Sequence, residues 1–172
     1  VPQAGLLITA GAILMGVGAP VLASLVAGWD RRRLLAATLL WYGLMLAACA
    51  VAPSYDSLLP LRVLAMLAPA VFTPQAAASI GVMVAPTQRG KAITFVFLGW
   101  SVASVAGMPL GAWVGETWGW RWAFGGVAVM AVACAAWIWQ VMPNAVRPAA
   151  LSRQAWASAL QSGPLMRVVG VT

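Results

Sequence analysis

The sequence predicts an all-α protein, a polytopic helical membrane protein with about five transmembrane helices. Of its 172 residues, 63% are hydrophobic and only 8% are charged, whereas a soluble domain usually carries about 25% charged residues. Five runs without any charge each reach the roughly 20 residues that a helix needs to cross a bilayer. Polarity along these runs does not alternate with a period of two, which argues against membrane-spanning strands. The runs cover residues 1–29, 34–55, 63–88, 92–115 and 122–146.

We predict a transmembrane bundle over residues 1–142 and a cytoplasmic linker over 143–164. The linker contains apolar residues at helical spacing on one face, so we expect an amphipathic helix on the membrane surface. Residues 165–172 are predicted to start a further span. Within the bundle, the predicted spans lie at about 5–28, 34–52, 58–85, 92–115 and 122–142.

The composition also excludes several classes of function. The chain has no histidine and only three acidic residues, all predicted to lie in connectors between spans. Cys49 and Cys134 lie within apolar runs, where cysteine is usually a small packing residue. We therefore predict no enzyme activity, no metal site and no bound cofactor. The net charge of +7 lies in short connectors, which indicates the lipid bilayer rather than nucleic acid as the partner.

The connectors alternate in charge, and this alternation predicts the orientation. The first and third connectors and the tail together carry seven basic residues, whereas the second and fourth carry one. Short basic loops resist translocation, so the basic connectors are predicted to face the cytoplasm. Residue 1 would then lie on the outer side, and we expect another helix before it.

The first basic connector, in the stretch "GWDRRRLLAA", holds four consecutive charges: Asp30, Arg31, Arg32 and Arg33. Asp30 occupies the position expected for the N-cap of the next helix. From the sequence, the three arginines are either a topology anchor or part of a functional loop.

The third span contains an arginine, about one helical turn from its predicted outer end. A charge within the membrane is costly, which makes Arg62 a candidate for function. The alternative is that its side chain reaches the outer headgroups as an anchor. At 100° per residue, Thr73 falls close to the meridian of Arg62, while Gln75 points elsewhere and is the other strong hydrogen-bonding side chain. We consider these three residues candidates for a substrate or proton pathway.

The fourth span carries small residues four positions apart, which share one helix face and allow close approach of another backbone. A proline interrupts this face, and proline removes an amide donor and bends a helix. The span is therefore predicted to be a tightly packed hinge helix. Its candidate residues are Gly99, Ala103, Gly107, Pro109 and Gly111.

These features, in this order, resemble the major facilitator superfamily, specifically its twelve-helix drug:proton antiporters and arabinose-efflux-like permeases. The family's G-x-x-x-D-R-x-G-R-R loop is matched in its second half by Asp30, Arg31 and Arg32, while Ala27 and Gly28 replace its acid and first arginine. The fourth-helix arginine of the family corresponds to Arg62. The family's G-x-x-x-G-P-x-x-G helix is matched loosely by Ala103, Gly107, Pro109 and Gly111, and "RGKA" and "GWRWAF" follow the family order.

The resemblance implies a major-facilitator-type helix bundle of which this chain would be the amino-terminal half without its first helix. It implies proton-driven efflux of small organic molecules by alternating access, in the inner membrane of a bacterium. The basic connector would act as a gating loop, and Arg62 would tune the pKa of a carboxylate elsewhere in the protein. The missing first helix and the carboxy-terminal half would then be partners of this chain, together with a small-molecule substrate.

Two other interpretations stay open at this stage. A sugar or nucleoside permease of the same fold would need a more polar cavity than Thr73 and Gln75 provide. A truncated membrane fragment that transports nothing would have the same composition.

Overall fold

The computed structural model of the protein describes residues 28–144, together with positions 22, 25, 26 and 146. These residues are arranged entirely in helices and short turns, which confirms the predicted fold class. Apart from a few edge positions, the predicted first span, the linker and the start of a further span lie outside the described residues. Four described segments are long and apolar enough to cross a membrane: Arg31–Ala50, Asp56–Met83, Arg89–Thr117 and Trp120–Val141.

Each of the four described spans begins two or three residues before the start that was predicted from the positions of the charges. Charges mark where a chain leaves the hydrocarbon, whereas a helix itself continues into the headgroup region. The helices are α1 (Arg31–Ala50), α2 (Tyr55–Ala65), α3 (Leu67–Met83), α4 (Arg89–Val102), a π-helical turn (Ala103–Gly107), α5 (Met108–Thr117) and α6 (Trp120–Val141).

Side-chain caps explain where the first two helices start. The Asp30 carboxylate accepts a hydrogen bond from the backbone N–H of Arg33 at 3.2 Å, which confirms Asp30 as the N-cap of α1. Ser54 and Ser57 form a reciprocal capping box at the start of α2. Asp56 consequently lies in the first turn of α2, where a negative charge is favoured, and not in a loop as predicted.

The predicted third span is divided into α2 and α3 at Met66. Pro69 accounts for this division because it has no N–H to donate to the carbonyl of Ala65, and its ring crowds that carbonyl. Ala65 is the last residue of α2. Arg62 and Thr73, which were predicted to share one helix face, therefore lie on either side of an interruption in the helical hydrogen bonding.

Helix α1 packs most extensively against α6 and also contacts α2 and α3. Gly43 of α1 lies at the closest point: a Cβ added there would stand 3.2 Å from the carbonyl oxygen of Ala128 and 3.5 Å from the Cβ of Ala131. Ala128, Ala131 and Ala135 are buried on one face of α6. Small residues on both helices thus allow the two backbones to approach closely.

The segment formed by α4, the π-helical turn and α5 lies at the side of this bundle. It contacts α3 through α4 and α6 through α5. None of its most apolar stretch is buried within the described structure. This span therefore presents an open wall next to α3.

Candidate functional site

The basic cluster (Asp30–Arg33) ties the start of α1 to the end of α6. The Arg31 side chain is buried, and its backbone N–H donates to the carbonyl of Val146 at 3.1 Å. The Arg32 guanidinium lies 4.6 Å from the centroid of the Trp139 ring and also donates to Asn144 Oδ1. Arg33 remains exposed. The four charges thus have separate environments, and the gating role of the cluster stays a prediction.

A second cation joins the same two helices at their other ends. Arg121, at the start of α6, donates from its guanidinium to the carbonyl of Ala52 at 3.1 Å. The carbonyls beyond the end of α1 carry partial negative charge, so a cation is favoured there. The guanidinium also lies 4.3 Å from the centroid of the Trp120 ring. From the sequence, Arg121 is only the single basic residue of the fourth connector, and its position among tryptophans was the available signal.

Arg62 is half-buried in α2, and its guanidinium carbon lies 5.2 Å from the centroid of the Phe124 ring in α6. A cation over an aromatic face is stabilised without using its N–H donors. The Arg62 side chain makes no hydrogen bond with any residue that the structure describes, so its planar fork keeps its donors. From the sequence, Arg62 was considered as a pathway residue or as a headgroup anchor. The structure adds that the Phe124 ring stabilises the cation at its half-buried position.

The structure does not bring Arg62, Thr73 and Gln75 together in one site. Thr73 is exposed on the side of α3 that faces α4, whereas Gln75 is only 5% exposed. The backbone carbonyl of Gln75 accepts a hydrogen bond from the Ser79 hydroxyl at 2.7 Å. Thr73 and Gln75 are two residues apart and so lie on nearly opposite sides of the helix. Only Thr73 is in a position to contact a molecule beside α4.

A cavity of about 250 Å³ lies between α3 and α4, with Thr73 in its wall. Its volume is just below the roughly 300–1,000 Å³ of sites that enclose a drug-sized molecule. The cavity is therefore large enough for one ring or branch of a drug-sized substrate, but not for the whole molecule. Among the described residues that line the cavity, the polar side-chain groups are the hydroxyl of Thr73 and the indole N–H of Trp100. The aromatic lining residues are Phe72, Phe97 and Trp100, and the aliphatic ones are Ala76, Ala77, Ile80 and Val96.

The predicted hinge helix contains a π-helical turn, at Ala103–Gly107. Pro109 provides the reason, because its ring conflicts with the carbonyl of Val105 and it cannot donate the next α-helical hydrogen bond. Such turns are rare and are frequent at functional sites. The helix therefore changes its hydrogen-bonding pattern where the sequence places its proline.

The small residues of this helix have open space beside them. A Cβ added at Gly99 or Gly111 would meet nothing within 4 Å, and one at Gly107 would meet only the Cβ of Ala103, at 4.0 Å. The close helix contact that was expected for Gly107 and Gly111 is thus not made within residues 28–144. The physical reason is that α4 and α5 pack at the edge of the bundle, with no described helix on that side.

Carboxylates lie only at the ends of the described helices. Asp30 caps α1, Asp56 is in the first turn of α2, and Glu116 lies in the last turn of α5. The structure thus corrects the prediction that Glu116 is in a connector, because α5 continues through Thr117. No group of three or more potential metal ligands occurs in the part of the chain that the structure describes.

Comparison with known proteins places the chain among transporters. A family model described as Major Facilitator Superfamily matches residues 1–171. The chain is 36% identical to a chloramphenicol resistance protein of Streptomyces lividans over 143 residues, which are 83% of this chain and 36% of that protein. It is 32% identical to the inner membrane transport protein YdhP of Escherichia coli (strain K12) over 124 residues, which are 72% of this chain and 32% of that protein.

A probable sugar efflux transporter of Helicobacter pylori (strain G27) is 33% identical over 143 residues, which are 81% of this chain and 36% of that protein. No solved structure matches the chain. The matched region spans about a third of the length of these relatives.

Proposed function

Because the chain belongs to the Major Facilitator Superfamily, we propose that it is part of a transporter that exports small organic molecules by alternating access, driven by a proton gradient. The proposed location is the inner membrane of a bacterium, since one relative is named an inner membrane transport protein. The bundle of α1, α2, α3 and α6 would move as one body. The span formed by α4 and α5 would provide one wall of the transport pathway, and segments outside the described residues would provide the other walls.

The cavity between α3 and α4 carries the proposal for the substrate class. Its lining is apolar and aromatic, with a single side-chain hydroxyl at Thr73. Sites of this kind bind small molecules through apolar contact and use a few polar groups for orientation. We therefore propose that an aromatic part of the substrate stacks on Trp100 while Thr73 hydrogen-bonds one of its polar groups.

The proton coupling is proposed to involve a carboxylate outside the described residues. Asp56 and Glu116 lie in terminal turns, so neither is at the depth of the cavity. Arg62 keeps its hydrogen-bond donors while Phe124 supports its charge. A guanidinium can bind a carboxylate through two parallel hydrogen bonds and lowers its pKa. We propose this pairing as the role of Arg62 in the pump.

The experiment measures export of chloramphenicol, the drug after which one relative is named, by vesicles that contain the whole transporter. Trp100→Ala should lower the transport rate about tenfold at low drug concentration, because it removes the stacking surface. Trp137→Ala, on the exposed face of α6, is the matched control and should transport normally. Transport should stop when the pH gradient is collapsed. Normal export by Trp100→Ala would refute the proposed binding site.

A sugar efflux transporter is the second candidate, because one relative carries that name. Sugars need several hydrogen-bonding side chains, and the described lining of the α3–α4 cavity offers two, Thr73 and the indole N–H of Trp100. The same vesicles should therefore export a labelled sugar no faster than protein-free vesicles. Sugar export that survives Trp100→Ala would favour this candidate, and absence of transport of either compound would favour the non-transporting fragment.

A further inference from the structure

A groove of about 560 Å³ runs between α1 and α6 on the surface of the bundle. Gly43 and Ala128 form its floor, since both are buried and lack bulky side chains. The walls are exposed apolar side chains: Leu40 is 49% exposed, Leu44 60%, Val129 71% and Val132 49%. None of the described side chains that line the groove is polar.

The depth of the groove in the membrane indicates what can fill it. At 1.5 Å per residue, Leu40 and Leu44 lie roughly 10 Å and 16 Å along α1 from Arg33. One leaflet of a bilayer contributes about half of the roughly 30 Å hydrocarbon thickness. The groove therefore lies at the depth of acyl chains: it begins within the leaflet at the Arg33 end of α1 and reaches the middle of the bilayer.

Arg33 lies above the groove on the same face of α1. Leu40 and Leu44 follow Arg33 by seven and eleven residues, which places each of them within about 20° of Arg33 around the helix, one on either side. Arg31 is buried and Arg32 contacts Trp139 and Asn144, so Arg33 is the exposed guanidinium of the basic cluster. Its side chain makes no hydrogen bond with a described residue, which leaves its donors for a phosphate.

We propose that the α1–α6 groove is a binding site for an anionic phospholipid. The phosphate of the headgroup binds Arg33, and one acyl chain lies along Gly43 between the side chains of Leu44 and Val129. The apolar lining of the groove contacts the acyl chain of the lipid, and the exposed guanidinium of Arg33 favours a negatively charged headgroup. This site is separate from the α3–α4 cavity and does not depend on the transported substrate.

The test uses the full-length protein in bilayers that contain a minority of phosphatidylglycerol in phosphatidylcholine, with identical acyl chains. A photoreactive p-benzoylphenylalanine is placed at position 129 in the groove or, as a reference, at position 105. Val105 is 77% exposed and lies in the π-helical turn, away from the groove. After illumination, mass spectrometry gives the ratio of the two lipids in the adducts.

Adducts at position 129 should be enriched in phosphatidylglycerol by roughly fivefold over the bilayer, as expected for one cation near the headgroup. Adducts at position 105 should match the bilayer composition. Arg33→Gln should abolish the enrichment at position 129, whereas Lys91→Gln, which removes an exposed charge at the start of α4, should preserve it.

Four results would overturn the proposal. Enrichment that persists in Arg33→Gln would show that this residue does not attract the lipid. Enrichment that is lost equally in Lys91→Gln would show that net charge attracts it. Equal enrichment at positions 105 and 129 would exclude a specific groove. Adducts at position 129 with protein in place of lipid would show that a second copy or another segment of the protein covers this face.

Discussion

Gly43 should be the position in α1 at which added bulk harms the protein most. A Cβ at this residue would already stand 3.2 Å from the Ala128 carbonyl oxygen and 3.3 Å from Cγ2 of Val132. Both distances are shorter than ordinary van der Waals contact. The Ala128 oxygen belongs to the backbone of α6, so it cannot move aside by a change of rotamer. A larger side chain at Gly43 must therefore push α6 away from α1.

The size of the effect follows from the packing. Gly43→Ala combines a gain in helix propensity of up to about 1 kcal/mol with two tight contacts of its Cβ, so its net effect should be small. Gly43→Leu adds three further carbon atoms beyond the crowded Cβ. Overpacking of this kind usually costs about 1–3 kcal/mol. We expect about 3 kcal/mol, because the displaced partner is a helix backbone that forms the main contact of the bundle.

The assay uses the thiol of Cys49, which is completely buried in α1 and becomes reactive when the helix pair opens. Cys134 is exposed and is replaced by serine, so that labelling measures the exposure of Cys49 alone. Since 1.4 kcal/mol is a factor of ten, Gly43→Leu should increase the labelling rate in detergent by roughly 100-fold. Gly125→Leu is the matched control on α6, because a Cβ there meets nothing within 4 Å. Labelling of the Gly43 variant at the wild-type rate, or an equal increase in both variants, would refute the reasoning.

The remaining predictions concern the ends of the helices and the charge in α2. Arg121→Gln should increase labelling of Cys49 about fivefold, since the lost hydrogen bond to the end of α1 contributes about 1 kcal/mol; an unchanged rate would contradict this role. In intact cells, an impermeant thiol reagent should label a cysteine at Thr117 but not at Thr87 if the basic connectors face the cytoplasm; the reverse pattern would invert the topology. In the whole transporter, Arg62→Lys should insert normally and lose most proton-driven export, because lysine lacks the planar fork; wild-type export normalised to protein amount would identify Arg62 as an anchor.

The membrane-spanning segments and the N-cap of α1 were accessible from the sequence, and the reason for the spans is general. A segment in hydrocarbon must satisfy its own backbone hydrogen bonds, so length and apolarity alone predict a helix. The four described spans agree with the predicted fold class on this basis. Local capping was equally accessible, because Asp30 acts on a backbone group only three residues away.

The candidate site was only partly accessible. Arg62 and Thr73 were singled out because polar residues are rare in an apolar span. The sequence already placed Gln75 on another face than Thr73, but the structure alone places Thr73 beside aromatic residues of α4 that the sequence did not distinguish from lipid-facing ones. The interruption before α3 also changes the phase that was used to align Arg62 with Thr73.

What the sequence by itself determined is that this protein consists of apolar helices whose ends carry the charges. Only the tertiary structure decided which helices pair, because lipid is as apolar as leucine and provides no hydrophobic force that selects one partner over another. Shape selects instead: Gly43 of α1 fits against Ala128 and Ala131 of α6. The cations that join the ends of this pair act over long sequence separations, 69 residues for Arg121 and Ala52 and 112 for Arg32 and Asn144. Contacts at such separations depend on the packed arrangement of the helices, which no local pattern of residues contains.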